Sequence, residues 1–456
     1  MPAPELLYLL HGDPAELTET LAGMRIADIA EALRDLPPGG AAKVLAALPF
    51  DVAVQVFDEP ELDHRYEIIQ RMETDAAVAL VEAMSADQQA DVFRELHGED
   101  RERLLERVDA ETRRSLKLLL KYPADSAGGI MTTEVLTVPS DWSVGQTLEY
   151  IRGVARVKET VYVVYLIDAE EHLSGVVSLR QLMLADPALN VHDAGDRRSP
   201  AVVSPGTDRE EVARVIAKYN LLAVPVVDDE RHVLGIVTVD DVIDAIVREQ
   251  TEDVQKFGGM EALDAPYMDI GFGHMIRKRA PWLCALFLSE MLTATAMQHF
   301  ESVIERVALL AMFIPLVMSS GGNSGSQATS LIIRALALGE IKLRDWWRIA
   351  ARELPTGLTL GAILGSVGFA RIVLWQHIGF YDYGAHYLLV ALAVGLSLVG
   401  IVAFGSFAGS MLPFVLRRLG FDPASASAPF VATLVDVTGL VIYFTVSWMV
   451  LRGTLL

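Results

Sequence analysis

Cysteine is almost absent from this chain: Cys284 is the only one in 456 residues, and it sits in an apolar run. A disulfide framework is therefore excluded. The hydrophobic stretches contain no Cys/His cluster of metal-ligand spacing, which argues against a soft-metal site in them. His274 and Cys284 stand ten residues apart and are read as incidental. There is no P-loop, nucleophile–base triad or metal-hydrolase motif, so nothing points to an enzyme. The N-terminus lacks a basic, apolar, small-residue signal pattern, and the expectation is that the first domain stays in the cytoplasm.

Basic charge is scarce too, and unevenly so. Residues 1–276 carry 25 Lys/Arg against 51 Asp/Glu, whereas residues 277–456 carry 13 against 9. The acidic excess lies wholly in the first part. Such a surface repels nucleic acid and anionic membrane and attracts metal cations. Taken alone, the net charge is explained more simply by the solvation of a soluble surface.

What the chain does have falls into three kinds of pattern. Up to residue 130 or so, apolar residues recur at helical spacing in Ile26–Leu33, Ala41–Leu48 and Asp87–Leu96, punctuated by Leu36-Pro37 and Leu48-Pro49. Similar units at somewhat under twenty residues suggest an all-α helical superhelix, with a plain bundle as the alternative. Residues 131–250 contain an internal repeat, Gly175-Val-Val-Ser-Leu-Arg-Gln-Leu and Gly235-Ile-Val-Thr-Val-Asp-Asp-Val, sixty residues apart. Each copy reads helix, strand, turn, strand, helix, which resembles a tandem pair of α/β CBS domains. In such modules an Asp three residues after a Ser/Thr often contacts a nucleotide ribose. Thr238 and Asp241 fit that place, whereas the first copy has Gln181 after Ser178. A connecting helix is expected over 251–276, followed by a membrane part over 277–456.

Five apolar stretches, near 281–300, 308–333, 354–375, 387–413 and 429–451, are long enough to cross a bilayer. Lys and Arg cluster before the first (Arg277-Lys-Arg), between the second and third (Arg334, Lys342, Arg344, Arg348, Arg352) and between the fourth and fifth (Arg417, Arg418). This bias puts the N-terminal domains in the cytoplasm and the C-terminus outside. Trp346, Trp347 and Trp375 suit interfacial anchors. Asp436 lies in the last stretch with no Lys, Arg or His within ten residues. A carboxylate at that depth costs several kcal/mol unless water, a partner or an ion compensates it. A two-fold dimer would bring two copies together, which suits a divalent ion.

Three motifs carry a resemblance over essentially the whole chain. Gly321-Gly-Asn-Ser-Gly-Ser-Gln with Ile333-Arg-Ala-Leu-Ala-Leu-Gly-Glu, Leu412-Pro-Phe-Val-Leu-Arg-Arg-Leu-Gly-Phe-Asp-Pro-Ala with Val431-Ala-Thr-Leu-Val-Asp-Val-Thr-Gly, and Tyr122-Pro-Ala-Asp-Ser-Ala-Gly-Gly-Ile-Met look like the MgtE magnesium transporter family. The resemblance implies a homodimer whose pore, at the dimer axis, holds hydrated Mg²⁺ at Asp436. A backbone carbonyl of Ala432 and the side chain of Asn323 would line the path. One departure is Ala428, where the family carries Asn. Glu290 in the first span is unexpected, and is read as hydrogen-bonded to a neighbouring helix or lining a path. Oxygen-only donors fit Mg²⁺ independently.

The resemblance also implies closure by cytoplasmic Mg²⁺. Asp87 and Asp91, at i and i+4, share a helix face and match an acidic pair of the family. Asp208 and Glu210 match acids of the second CBS copy, although Asn220 replaces another. Asp241, Asp244, Glu249, Glu252 and Asp253 recur near helical period as a mostly acidic stripe leading to the membrane. The expectation is a Mg²⁺-selective, Mg²⁺-gated channel in the cytoplasmic membrane, with ATP as the nucleotide for Thr238 and Asp241. The rivals are a carrier coupled to Na⁺ or H⁺ and a nucleotide-sensing membrane receptor.

Overall fold

The computed structural model describes residues 20–455, except 60, 61, 63, 97, 156, 157, 196–198, 265, 266 and 269. Residues 1–19 of the expected first domain lie outside the described residues. The chain divides into two compact units, Met1–Val247 and Arg248–Leu456.

The first unit opens with helices α1 (Ile26–Arg34), α2 (Pro38–Ala47), α3 (Phe50–Asp58), α4 (Arg65–Arg71), α5 (Thr74–Glu82), α6 (Ala86–Glu95), α7 (Glu99–Arg107) and α8 (Ala110–Leu119). Prolines set two of the entries: Pro38 occupies the first turn of α2, and Pro49 precedes α3. Their fixed φ is already helical, and their missing N–H would be unpaired there in any case. Asp109 caps α8 by accepting from the backbone N–H groups of Glu111 and Thr112 at 2.7 and 2.8 Å. The helices pack on the next but one, α1 on α3, α2 on α4, α3 on α5, α4 on α6 and α6 on α8. That alternation is a helical superhelix rather than a plain bundle.

A short helix, α9 (Ala127–Ile130), leads into the two CBS copies. The first contains β1 (Thr137–Pro139), α10 (Val144–Val154), β2 (Val163–Ile167), β3 (Leu173–Ser178) and α11 (Leu179–Leu184), followed by α12 (Val191–Ala194). The second contains α13 (Arg209–Tyr219), β4 (Ala223–Val227), β5 (Val233–Thr238) and α14 (Val239–Phe257). β1 runs parallel to β2, and β2–β3 and β4–β5 are antiparallel hairpins with matching irregularities after Leu166 and Val226. The repeat seen in sequence is thus a repeat in register. One core runs from Leu33, Phe57, Val81 and Phe93 on into Val212, Ile216, Val224 and Val237 of the second copy. The helical domain and the second CBS copy are therefore one packed body.

The acidic connecting helix differs from expectation. It is α14 itself, which begins inside the second CBS copy and ends at Phe257, not near 276. Gly258 and Gly259 stop it: Gly259 adopts φ +76°, and a Cβ there would stand 2.8 Å from the Trp282 ring nitrogen. A left-handed backbone at a crowded position requires glycine.

Among its described residues the second unit has five helices long and apolar enough to cross a membrane. They are α15 (Phe272–His299), α17 (Ile314–Ala337), α18 (Trp346–His377), α19 (Tyr387–Arg418) and α20 (Ala428–Leu451), with the short α16 (Glu301–Arg306) after the first. Helix α19 is the hub and packs on α17, α18 and α20. Small residues permit close approach: a Cβ on Gly405 would lie 2.4 Å from the Gly321 carbonyl oxygen, and one on Gly409 2.2 Å from that of Gly325. Among the described residues of α15 only Thr293 is buried, and Leu283, Phe287, Leu288 and Met291 face outward, as lipid contact demands. Near the ends of α18 and α20, Arg371 stacks over Trp375 and Arg452 over Trp448, at 3.9 and 4.8 Å from the ring centroids. Such pairs suit a water–lipid boundary.

Candidate functional site

In the second unit, Asp436 lies midway along α20 and is partly buried. One turn earlier Ala432 meets α17, where a Cβ built on Gly322 would stand 3.5 Å from the Ala432 Cβ. Gly321 and Gly325 press on Val435 and Val431 of the same helix. The glycines thus serve packing of α17 on the helix that carries Asp436. Asn323 is exposed in the single chain, and its amide donates to the Ser319 hydroxyl at 3.4 Å. Glu290 on α15 lies within electrostatic reach of Asp436. Two acids on two helices thus face each other's charge within the apolar spans.

Ala428 opens α20, and the Ser326 hydroxyl donates to its carbonyl at 3.4 Å. The preceding Ser427 caps the helix and accepts from the Trp282 ring N–H at 3.3 Å. Oxygen donors are therefore present at the level where the family side chain is replaced by Ala428.

The first unit brings carboxylates together far more densely. Asp87 on α6 is buried, and its pKa is pushed up to about 6 by that burial, then by Asp58 and Asp91. Asp241, at the start of α14, is pushed up to about 8, first by burial and next by Asp87. It accepts a short hydrogen bond from the Thr238 hydroxyl, which favours the charged form but does not offset the burial. Glu134 rises to about 7 through burial and then Asp87. Glu159 keeps an exposed face yet is also raised to about 7, by partial burial and then by Asp87 and Glu134. Asp87 is the common neighbour of all of them. A group of acids that cannot all ionise together in the packed unit accepts either protons or a cation.

The sequence pattern pointed to Asp87 and Asp241 but not to Asp58, Glu134 or Glu159. Asp58 ends α3 and accepts from the Ser85 N–H and hydroxyl at 3.1 and 3.0 Å, at the start of α6. Glu134 and Glu159 sit in loops joined by the Glu159 N–H donating to the Glu134 carbonyl at 3.3 Å. No helical period marks them; only the repeat, which makes these loops neighbours of the second CBS copy, could have found them.

Other expected sensor residues have local partners. Asp91 pairs with Arg94 at 2.6 Å, and Arg94 also donates to the Gly129 carbonyl at 3.0 Å. Asp208 caps α13 through the Glu210 N–H at 2.8 Å, while Glu210 pairs with Arg214 at 3.0 Å. Asn220, which replaces an expected acid, ends α13 with φ +52°, a conformation that suits Asn. Asp244, Glu249, Glu252 and Asp253 all lie on α14. Within the second unit Glu252 binds Lys256 at 2.5 Å, and Lys256 also binds Asp422 at 2.5 Å.

Comparison with known proteins matches the three parts separately. A family profile described as divalent cation transporter, MgtE, covers residues 314–446, and one described as the MgtE intracellular N domain covers 24–125. CBS domain profiles cover 127–187 and 192–248. A magnesium transporter MgtE of Thermus thermophilus is 42% identical over 354 residues, which is 77% of this chain and 76% of that protein. The chain belongs to the MgtE family. A magnesium transporter MgtE of Enterococcus faecalis is 36% identical over 74% of this chain and 72% of that protein. The crystal structure of the cytosolic domain of the Mg²⁺ channel MgtE in complex with ATP aligns with a TM-score of 0.50 and 33% identity, covering 53% of this chain and 99% of that one. MgtE membership accounts for the order of parts: intracellular helical domain, CBS pair, apolar helices.

Proposed function

We propose that this protein is a homodimeric, Mg²⁺-selective channel that admits Mg²⁺ through its membrane unit and is closed by Mg²⁺ on its cytosolic unit. The observation that carries the gating half is the Asp87 cluster. Carboxyl groups with pKa values raised to between about 6 and about 8 cannot all be charged at neutral pH without repelling one another. Binding of a divalent cation offsets that repulsion and favours the packed state in which the helical domain rests on the second CBS copy. The donor set consists of oxygens, which suits Mg²⁺ better than a thiophilic metal. Asp87 and Asp241 are the first ligands proposed, with Glu134 and Glu159 beside them. Asp244, Glu249 and Asp253 extend the same charge along α14, while Asp91, Asp208 and Glu210 join only by exchanging their arginine or cap partners for the ion.

For the permeation half, Asp436 is the pore ligand, with the Ala432 carbonyl and Asn323 lining the path of a hydrated ion. The pore is completed by a second copy of the chain. The C-terminus lies outside, since the charge bias of the connecting segments puts the N-terminal domains within. ATP is the second ligand proposed for the cytosolic unit, at Thr238 and Asp241; the ATP complex of the related cytosolic domain supports it. Flux into proteoliposomes tests the permeation half. Asp436→Ala should fold and dimerise yet admit Mg²⁺ only at the rate of empty vesicles, and wild-type flux by that variant would sink the assignment. Currents indifferent to Na⁺ and H⁺ gradients separate a channel from a coupled carrier.

A further inference from the structure

Helix α15 has one covered face along its apolar length. Trp282, Leu286, Glu290, Thr293, Ala296 and Phe300 are buried or half-buried and follow one another at intervals of three or four, a single helical stripe. That face packs on α20, and two contacts fix the register. Near the start of both helices the Trp282 ring N–H donates to the Ser427 hydroxyl at 3.3 Å; further along, the Phe300 and Phe444 rings stack with centroids 5.0 Å apart. The two helices therefore run parallel. Counted from the first contact, Glu290 stands eight residues along α15 and Asp436 nine along α20, about 12 and 14 Å at the helical rise. Counted back from the second, they stand ten and eight residues away, about 15 and 12 Å. Both routes put the two carboxylates at one level of the membrane unit.

We propose that Glu290 is a second cation-binding carboxylate of the permeation path, which holds the hydrated divalent ion together with Asp436 and sets the preference for a divalent over a monovalent cation. The proposal rests on the reading of Asp436 as the pore ligand and adds to it a residue from a different helix. An acid within a membrane span normally faces the interior of the bundle or a watery path, because exposure to lipid leaves its charge uncompensated. Glu290 obeys that rule: it lies on the covered stripe, while Leu283, Phe287, Leu288 and Met291 take the exposed side. No Lys, Arg or His stands within eight residues of it along α15. The charge within its reach is of like sign, that of Asp436. Two carboxylates at one depth repel each other, and a cation between them offsets both.

A second observation comes from the next turn of the same stripe. The Thr293 hydroxyl is buried with no hydrogen-bond partner among the described residues, so this face keeps a polar atom that the packing of the single chain leaves unspent. A hydroxyl beside the acid can hold a water between the helices. Mg²⁺ sheds its own water reluctantly, so both carboxylates can act on it through that water rather than by direct contact. Each added carboxylate attracts an ion of charge two twice as strongly as an ion of charge one. A second acid at this level therefore widens the gap between Mg²⁺ and Na⁺.

The test is Mg²⁺ flux through the full-length protein in proteoliposomes, with and without competing Na⁺. Glu290→Gln keeps the shape of a neutral carboxyl and removes the charge. It should raise the half-saturating Mg²⁺ at least about 10-fold and lower the preference for Mg²⁺ over Na⁺, with the unfolding midpoint in detergent unchanged. Glu290→Asp keeps the charge and should retain the preference, and it remains informative should the glutamine variant fail to fold. Wild-type half-saturation and selectivity in Glu290→Gln, with Asp436→Ala silent, would overturn this proposal and leave the pore assignment standing. Equal loss of selectivity in Glu290→Asp and Glu290→Gln would also overturn it, since shape and not charge would then matter. Wild-type flux by Asp436→Ala would remove the pore reading, and this proposal with it.

Discussion

The two units treat carboxylates in opposite ways. In the membrane unit Asp436 has Glu290 within electrostatic reach, on a helix whose neighbouring residues pack against glycines. In the cytosolic unit Asp58, Asp87, Asp91, Glu134, Glu159 and Asp241 crowd around one buried position. A sparse site binds a hydrated ion weakly enough to release it, because Mg²⁺ sheds water reluctantly. A crowded site is unstable without a counter-ion and so reports whether that ion is present. On the function proposed, conduction and sensing ask for different carboxylate densities, and the two units differ in that density.

The largest expected effect breaks the comparison on the crowded side. Asp87→Asn with Asp241→Asn removes the hub and the acid whose pKa is raised furthest, so the packed state no longer needs a cation. Mg²⁺ flux in this variant should persist at internal Mg²⁺ concentrations that silence the wild type, as read by patch clamp or proteoliposome uptake. Normal closure would place the sensor elsewhere. The same change made at Asp436 should do the reverse, ending flux without touching the response of the cytosolic unit to Mg²⁺.

Next comes the packing that keeps the membrane side sparse. Gly409→Ala puts a methyl where the Gly325 carbonyl stands, 2.2 Å from the ideal Cβ position. Overpacking of this kind costs about 1–3 kcal/mol, so thermal unfolding in detergent should shift downward and flux should fall with it. Gly153→Ala, on α10 with nothing within 4 Å of its ideal Cβ, is the matched control and should be neutral or mildly stabilising.

The pH response separates the units again. Asp87, Glu134, Glu159 and Asp241 have pKa values raised in the folded unit, to about 6, 7, 7 and 8. Between their ordinary values near 4 and these raised ones, the folded state binds more protons than the unfolded state, so stability falls as pH rises. Without Mg²⁺ the unfolding midpoint of the cytosolic unit should therefore drop progressively from about pH 4 to about pH 8, and Mg²⁺ should restore it most at the upper end. A midpoint that rises over this range would contradict the cluster.

How much of this was legible follows from what each feature depends on. Helical period, proline punctuation, the sixty-residue repeat and the length of the apolar runs are written in the sequence itself, and from them came the superhelix, the CBS pair and the five apolar stretches. Asp436 was legible because a charge in an apolar run is visible without neighbours. Glu134 and Glu159 were not, since loops brought together by tertiary packing have no period. The end of the connecting helix was misplaced because an acidic stripe looks continuous, whereas Gly258 and Gly259 end the helix through backbone geometry. Asp208 and Glu210 were expected from family position alone, and their cap and arginine contacts, which depend on exact placement, could not be read from sequence.

The smallest effect concerns which acids of α14 sense at all. Glu252 is tied to Lys256, which Asp422 also holds, so its charge is balanced within the second unit. Partly exposed ion pairs contribute about 0–1 kcal/mol, and Asp422 still partners Lys256 when Glu252 is lost. Glu252→Gln should therefore change neither the unfolding midpoint by more than about 1 kcal/mol equivalent nor the internal Mg²⁺ at which the channel closes. Asp244→Asn, on the part of the same helix that belongs to the first unit, should raise the closing concentration. A Glu252→Gln shift as large as that of Asp244→Asn would show that the sensor follows the charge stripe along the helix, and that the crowding around Asp87 is only its densest stretch.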